Sequence, residues 1–162
     1  MIPQHLIFLV EDNDDDAELT MKAFKVAKIA NPVMRAHDGV EALDYFLGRG
    51  NHAGRNMSDA PVIVLLDLKL LRLSGLEVLK AVHADECTKH LPIVILTSSN
   101  EDRDRLSAYD QFANSYVLKG GSVPGRSRMR DVQSCLIQNK GGRRPRLFPC
   151  QTFRRCLRAR PT

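Results

Sequence analysis

The sequence predicts a doubly wound α/β domain built on a parallel sheet, and three features indicate this class. Short, continuous apolar runs at residues 6–10, 62–66 and 93–96 suit strands buried on both faces of a parallel sheet. Segments with helical apolar spacing alternate with these runs. Acidic residues directly follow the first two runs, where ligands bind beyond the carboxyl ends of the strands in an open sheet.

The first half of the chain gives two helices and a second strand after the opening run. Residues 14–28 predict a helix with Asn13 as its N-cap. Its expected buried face comprises Ala17, Met21, Phe24 and Ala27. Residues 32–37 predict a strand and residues 40–47 a second helix. The polar segment 48–60 that follows is long for a connection inside a compact domain.

The second half continues the alternation. After the apolar run 62–66, a third helix is predicted from an apolar stripe of Leu76, Leu79 and Val82. A strand at residues 93–96 then ends at Thr97. A fourth helix is predicted from Leu106, Tyr109 and Phe112. A short last strand, residues 115–118, ends at Lys119.

The acids at the strand ends are the candidate functional residues. Glu11 and Asp12 follow the first run, and Asp67 follows the run 62–66. Three carboxylates at one edge of a sheet repel one another unless a cation lies among them, so the pattern predicts a divalent metal site. Two plainer interpretations stay open. Glu11 and Asp12 are also explained as acids near a helix start, and Asp67 as a strand-terminal turn acid.

The charge distribution divides the chain at Lys119. Residues 1–119 hold 13 basic and 18 acidic residues, whereas residues 120–162 hold 11 basic residues and one acid. We therefore predict a domain over 1–119, an atypical segment with a replacement helix over 120–139, and a disordered Arg-rich tail over 140–162. No signal-peptide pattern and no membrane-length apolar stretch is present, so a cytoplasmic protein that does not enter a membrane is expected.

Residues 1–119 resemble a response-regulator receiver domain of two-component signalling. The matching stretches are LIFLVEDNDDDAELT, AHDGVEALDYFLG, VIVLLDLKLLRLSGLEVL, PIVILTSSNEDRD and ANSYVLK. The loop ending in RNMSDAP is similar to that of single-domain regulators paired with bacterial phytochrome-type histidine kinases. The resemblance implies a flavodoxin-like sheet of strand order 2-1-3-4-5. It also implies a phosphoacceptor signalling domain, rather than an enzyme acting on other substrates, with a sensor histidine kinase as partner.

The resemblance also assigns roles at the acid cluster. Asp67 would accept the phosphoryl group as the nucleophile. Asp12, Asp67 and the backbone carbonyl of Lys69 would hold Mg²⁺, with Glu11 reaching it through water. A Mg²⁺-dependent phosphohydrolase is a weaker alternative, because it would need an acid where this chain has Lys69.

Two further side chains would interact with the phosphoryl group, and a third would change its conformation when Asp67 is phosphorylated. Thr97 would donate its hydroxyl to a phosphoryl oxygen, and the Lys119 ammonium would neutralise charge. Tyr116 would rotate inward when Thr97 moves toward phosphorylated Asp67, which makes Tyr116 and Thr97 the expected switch. An ordinary half-buried strand aromatic is the alternative for Tyr116.

Two positions, Leu71 and Gly120, depart from the family pattern, because the family has proline at both. The family's lysine–proline bond is cis, but a cis bond before a non-proline residue costs about 2.5–4 kcal/mol. A trans Lys119–Gly120 bond is therefore expected. Beyond Gly120 the family's last helix is not recognisable. A shifted reading frame after Lys119 is the preferred hypothesis for this change. Loss of the last helix would expose one flank of the sheet, and dimerisation is one way to cover it.

A functional tail is the alternative. The basic segment would bind nucleic acid electrostatically and be gated by the receiver, although it carries no motif for specific recognition. Retention on DNA that depends on salt and responds to acetyl phosphate would favour this effector over a module acting through protein contacts alone.

Overall fold

A computed structural model of the chain describes residues 6–56, 59–97 and 115–118, the last four and Thr97 by their backbone only. Five strands alternate with three helices in the described ranges. The strands are β1 (Ile7–Val10), β2 (Val33–Ala36), β3 (Ile63–Asp67), β4 (Ile93–Thr97) and β5 (Ser115–Leu118). The helices are α1 (Asp14–Val26), α2 (Gly39–Leu47) and α3 (Gly75–Ala84), with a 3₁₀ turn at Gly50–His52.

The strands form one parallel sheet of order β2-β1-β3-β4-β5, which confirms the predicted fold class and strand order. The register pairs Val10 with Leu66, so β1 and β3 end side by side. Asp67 of β3 in turn pairs with Leu96 of β4. The residues that follow β1 therefore lie beside Asp67.

Apolar side chains bury both faces of the sheet. On one face Phe8, Val10, Val64 and Leu66 pack with residues of α2 and α3. On the other face Ile7, Leu9, Ile63 and Leu65 pack with Ala17 and Phe24 of α1. Every residue of β1 and β3 is buried. This explains why these strands read as continuous apolar runs rather than as alternating ones.

Helix α1 begins as predicted but ends two residues early. The Asn13 side chain accepts a hydrogen bond from the Asp16 N–H at 2.9 Å, which confirms the N-cap. The prediction that the helix reaches Lys28 is wrong. Lys28 has a left-handed φ of 57°, and the Ile29 N–H donates to the Phe24 carbonyl, which closes the helix in a Schellman arrangement.

The prediction that Met21 lies on the buried face of α1 is also wrong. Ala17 and Phe24, seven residues apart, are buried, whereas Met21 keeps 37% of its surface exposed. Seven residues are close to two full turns, so these two side chains point in nearly the same direction. Met21 lies at the margin of this contact, where it lines a shallow depression with Leu9 and Val33.

Local side-chain caps set the starts of the other two helices. The Asp38 side chain accepts from the Glu41 N–H at 2.8 Å, and α2 begins at Gly39, one residue before the predicted start. Ser74 and Glu77 form a reciprocal capping box at the start of α3. The strand predicted over residues 32–37 is shorter than expected and covers only Val33–Ala36. The predicted fourth helix, Lys119 and the segment 120–162 lie outside the described residues.

The long polar loop after α2 is held by Arg55. Its Nε donates to the Tyr45 carbonyl at 3.0 Å, and its Nη1 donates to the Asp59 carbonyl at 2.9 Å. The guanidinium also lies 4.0 Å from the centroid of the Tyr45 ring. One planar, multidentate side chain therefore ties the middle of the loop both to α2 and to Asp59 near the end of the loop.

We predict that Arg55→Lys destabilises the domain by about 1–2 kcal/mol, because an ammonium cannot donate to both carbonyls in this fork geometry. Urea denaturation followed by circular dichroism measures this change. Arg49→Lys, at an exposed position near the start of the same loop, is the matched control and should leave the unfolding midpoint unchanged. Equal midpoints for both variants would contradict the role given to Arg55.

Candidate metal and phosphoacceptor site

Three acids lie together where β1 and β3 end. One carboxylate oxygen from each of Glu11, Asp12 and Asp67 lies within 4.8 Å of those of the other two. The parallel register of the two strands produces this proximity, because it places the residues after Val10 beside the end of β3. The structure thus brings together the three acids that the sequence pattern singled out.

The acids are held in a largely buried setting by backbone donors. Glu11 is fully buried and Asp67 is only 6% exposed, whereas Asp12 is partly exposed. The Asn13 N–H donates to Glu11 Oε1 at 3.2 Å, and the Lys69 N–H donates to Asp67 Oδ1 at 3.3 Å. Backbone dipoles of this kind stabilise a carboxylate but do not cancel the repulsion among three of them.

This donor set fits a hard divalent cation. All three side chains offer carboxylate oxygens, which are the ligands that Mg²⁺ prefers, and partial exposure of Asp12 leaves room for bound water. Burying several carboxylates together is costly unless a cation compensates them. The chemistry of the residues therefore agrees with a magnesium or manganese site.

Arg35 supports the site from β2, and sequence reasoning did not identify it. Its Nε donates to the Glu11 carbonyl at 2.8 Å, and its Nη1 pairs with Asp14 Oδ1 at 2.7 Å. The side chain thus links β2, the segment after β1 and the first turn of α1. A single arginine within a short apolar strand was the only signal in the sequence, and it did not specify these partners.

Gly75 is required by the close approach of two segments. A Cβ at this position would lie 2.1 Å from the carbonyl oxygen of Asp67 and 2.7 Å from the Cα of Leu68. The Gly75 N–H also donates to the Leu68 carbonyl at 3.0 Å. The start of α3 therefore packs directly against the backbone that carries Asp67.

The remaining predicted site residues are described only in part. Thr97 is the last residue of β4 and pairs in register with Leu118, so its backbone lies at the same sheet edge as Asp67. Tyr116 pairs with Ile95, and its side chain lies outside the description. Lys119 lies outside the described residues. The proximity of Lys119 to the acids stays a prediction. The inward rotation of Tyr116 and the trans Lys119–Gly120 peptide bond also stay predictions.

The comparisons with known proteins point to one family. A family model described as the response regulator receiver domain matches residues 7–124. The probable methanogenesis regulatory protein FilR2 of Methanothrix harundinacea is 40% identical over 114 residues, which are 70% of this chain and 71% of that protein. The response regulator Rcp1 of Synechocystis sp. is 30% identical over 121 residues, 75% of this chain and 80% of Rcp1.

Solved structures agree with these sequence relatives. The bacteriophytochrome response regulator AtBRR superposes with a TM-score of 0.71 at 40% identity, covering 82% of this chain and 91% of that chain. The Mn²⁺-bound form of Rcp1 superposes with a TM-score of 0.65 at 27% identity, covering 83% of this chain and 92% of that chain.

Among the described residues, no helix is both long enough and apolar enough to span a membrane.

We predict that Gly75→Ala destabilises the domain by about 1–3 kcal/mol, because the added methyl group forces the backbone of Asp67 to move. Chemical unfolding measures the cost, and the amide shifts of Asp67 and Leu68 report the movement. Gly54→Ala is the control, since a Cβ there meets nothing within 4 Å, although its φ of 83° adds backbone strain. Unchanged Asp67 and Leu68 shifts in Gly75→Ala would contradict the close approach.

Proposed function

The chain belongs to the response regulator receiver domain family, and from that membership we propose that Asp67 accepts a phosphoryl group from a sensor histidine kinase. Receiver domains act as phosphoacceptors of histidine kinases in two-component signalling. The observation that carries the assignment to Asp67 is its position at the end of β3, within 4.8 Å of the carboxylate oxygens of Glu11 and Asp12.

The proposed chemistry is an in-line transfer between two proteins. A carboxylate oxygen of Asp67 attacks the phosphorus of the kinase phosphohistidine, the new O–P bond forms, and the P–N bond breaks as the imidazole nitrogen takes back its electron pair. The Lys69 N–H, 3.3 Å from Asp67 Oδ1, orients the nucleophile. Near-complete burial of Asp67 limits the access of water to the reacting oxygen.

Receiver domains bind Mg²⁺ or Mn²⁺ at an acidic site, and we assign the Mg²⁺ site here to the three acids. Asp12, Asp67 and the Lys69 backbone carbonyl are the proposed direct ligands, and Glu11 is the proposed ligand through water. When bound, the ion neutralises negative charge that develops on the phosphoryl oxygens. Thr97 and Lys119 are proposed to donate to the same oxygens.

Output is proposed to pass through protein contacts. Movement of Thr97 toward the phosphoryl group would leave space for Tyr116, and inward rotation of Tyr116 would change the surface of the protein at β5. The partner kinase is proposed to be of the phytochrome type, and the likeness to the bacteriophytochrome response regulator AtBRR supports this choice.

We predict that the parent protein, incubated with acetyl phosphate and Mg²⁺, gains the mass of one phosphoryl group and that Asp67→Asn gains none. Intact-mass spectrometry gives the readout, and chelation of the metal with EDTA should abolish the gain. Asp15→Asn removes an exposed acid from the first turn of α1 and is the matched control, expected to label like the parent. Labelling of Asp67→Asn to the parent level would overturn the assignment.

The kinase class has its own test. A phosphorylated phytochrome-type histidine kinase should transfer its phosphoryl group to this chain faster than a histidine kinase of an unrelated sensor class does. Radiolabel transfer measured at short times separates the two kinases, because kinetic preference reports on docking. Equal transfer rates would contradict the phytochrome pairing and leave the phosphoacceptor role intact.

A further inference from the structure

The segment between β3 and α3 contacts the acid cluster through a backbone group. Leu71 exposes 67% of its surface, so its side chain contributes little packing. Its N–H nevertheless donates to Asp12 Oδ2 at 3.1 Å, across 59 positions of sequence. This contact joins the segment after β3 directly to the acid that follows β1.

The position of this N–H is fixed by its neighbours. The Leu71 carbonyl accepts from the Leu73 N–H at 2.8 Å, and Arg72 between them has a left-handed φ of 68°. Arg72 Nη1 also donates to Asp38 Oδ2 at 3.0 Å, at the N-cap of α2. The turn is therefore tied to α2 on one side and to the acid cluster on the other.

The Leu73 carbonyl adds a steric constraint. It lies so close to α2 that a Cβ at Gly39 would be 2.4 Å from its oxygen. Close packing of this kind, together with the Arg72–Asp38 ion pair, opposes displacement of the turn. The donor that Leu71 presents to Asp12 is thus held in place by the scaffold rather than by the Leu71 side chain.

We propose that the backbone amide of Leu71, a donor that the proline of the family at this position lacks, is a positioning group for the cation site of this chain, an inference that rests on the site assigned above. Asp12 is the most exposed of the three acids, so repulsion from Glu11 and Asp67 favours its rotation toward solvent. The Leu71 N–H opposes this rotation and holds the carboxylate beside the other two before a cation arrives.

The hydrogen bond is compatible with cation binding. A carboxylate offers about four lone-pair sites, so one bond to Oδ2 leaves sites for a cation. The oxygens of the three acids already lie within 4.8 Å of one another while this bond is made. The bond therefore persists when the cation binds, as expected for hydrogen bonds that orient metal ligands.

Leu71→Pro and Leu71→Ala form the matched pair, because proline, the residue that the family has at this position, removes the N–H and alanine keeps it. Isothermal titration with MgCl₂ should give an affinity about 10-fold weaker for Leu71→Pro than for the parent. Leu71→Ala should match the parent. Melting curves recorded without metal check that both variants are folded. Equal Mg²⁺ affinity of the two folded variants would overturn the proposal.

Amide hydrogen exchange in the parent tests the proposal if Leu71→Pro does not fold. The sequence contains two Leu–Leu pairs, 65–66 and 70–71, so carbonyl-¹³C and amide-¹⁵N leucine labelling isolates the amides of Leu66 and Leu71. Leu71 exchange should be slow, stay slow with MgCl₂, and become fast in Asp12→Ala. Faster exchange on adding Mg²⁺ would show competition instead of positioning and would overturn the proposal.

The cation site and the positioning role of the Leu71 amide can be tested separately. If the parent binds no Mg²⁺, the proposed cation site is wrong and the positioning role falls with it. If the parent binds Mg²⁺ and Leu71→Pro binds it equally well, the site stands and only the role of the Leu71 amide is wrong.

Discussion

Mutual repulsion of three carboxylates at the ends of two neighbouring parallel strands is the constraint on which the site depends. The register of β1 and β3 forces Glu11, Asp12 and Asp67 together, and burial of Glu11 and Asp67 strengthens their interaction by removing water. Such a cluster is suited to a divalent cation, which supplies the positive charge that the three acids lack. Family membership and the clustering of these acids therefore point to the same edge of the sheet, where β1 and β3 end.

The scaffold keeps this unfavourable arrangement in place. β1 and β3 are buried on both faces and end next to acids, so a slip of either strand toward its start would draw an acid into the apolar core. Arg35 fixes the backbone after β1, and Gly75 allows α3 to begin against the backbone of Asp67. Stability of the apolar sheet thus offsets the cost of gathering charge at its edge, as is common at functional sites.

The sequence predicted most of the fold and the three acids, because both depend on short-range patterns. Continuous apolar runs identified the central strands, and acids directly after them identified the cluster. The contacts of Arg35 and of the Leu71 amide depend on which residues meet across the fold, which one sequence does not specify. Met21 shows the same limit within a helix, because its exposure depends on where the α1 contact ends.

Titration with Mn²⁺, monitored by paramagnetic broadening of amide signals, shows where on the protein a divalent cation binds. Glu11, Asp12, Asp67 and Lys69 should broaden most at each metal concentration, more than the exposed acids of the first turn of α1. Broadening centred on Asp14–Asp16, or spread evenly over the acidic surface, would contradict a cation site at the ends of β1 and β3.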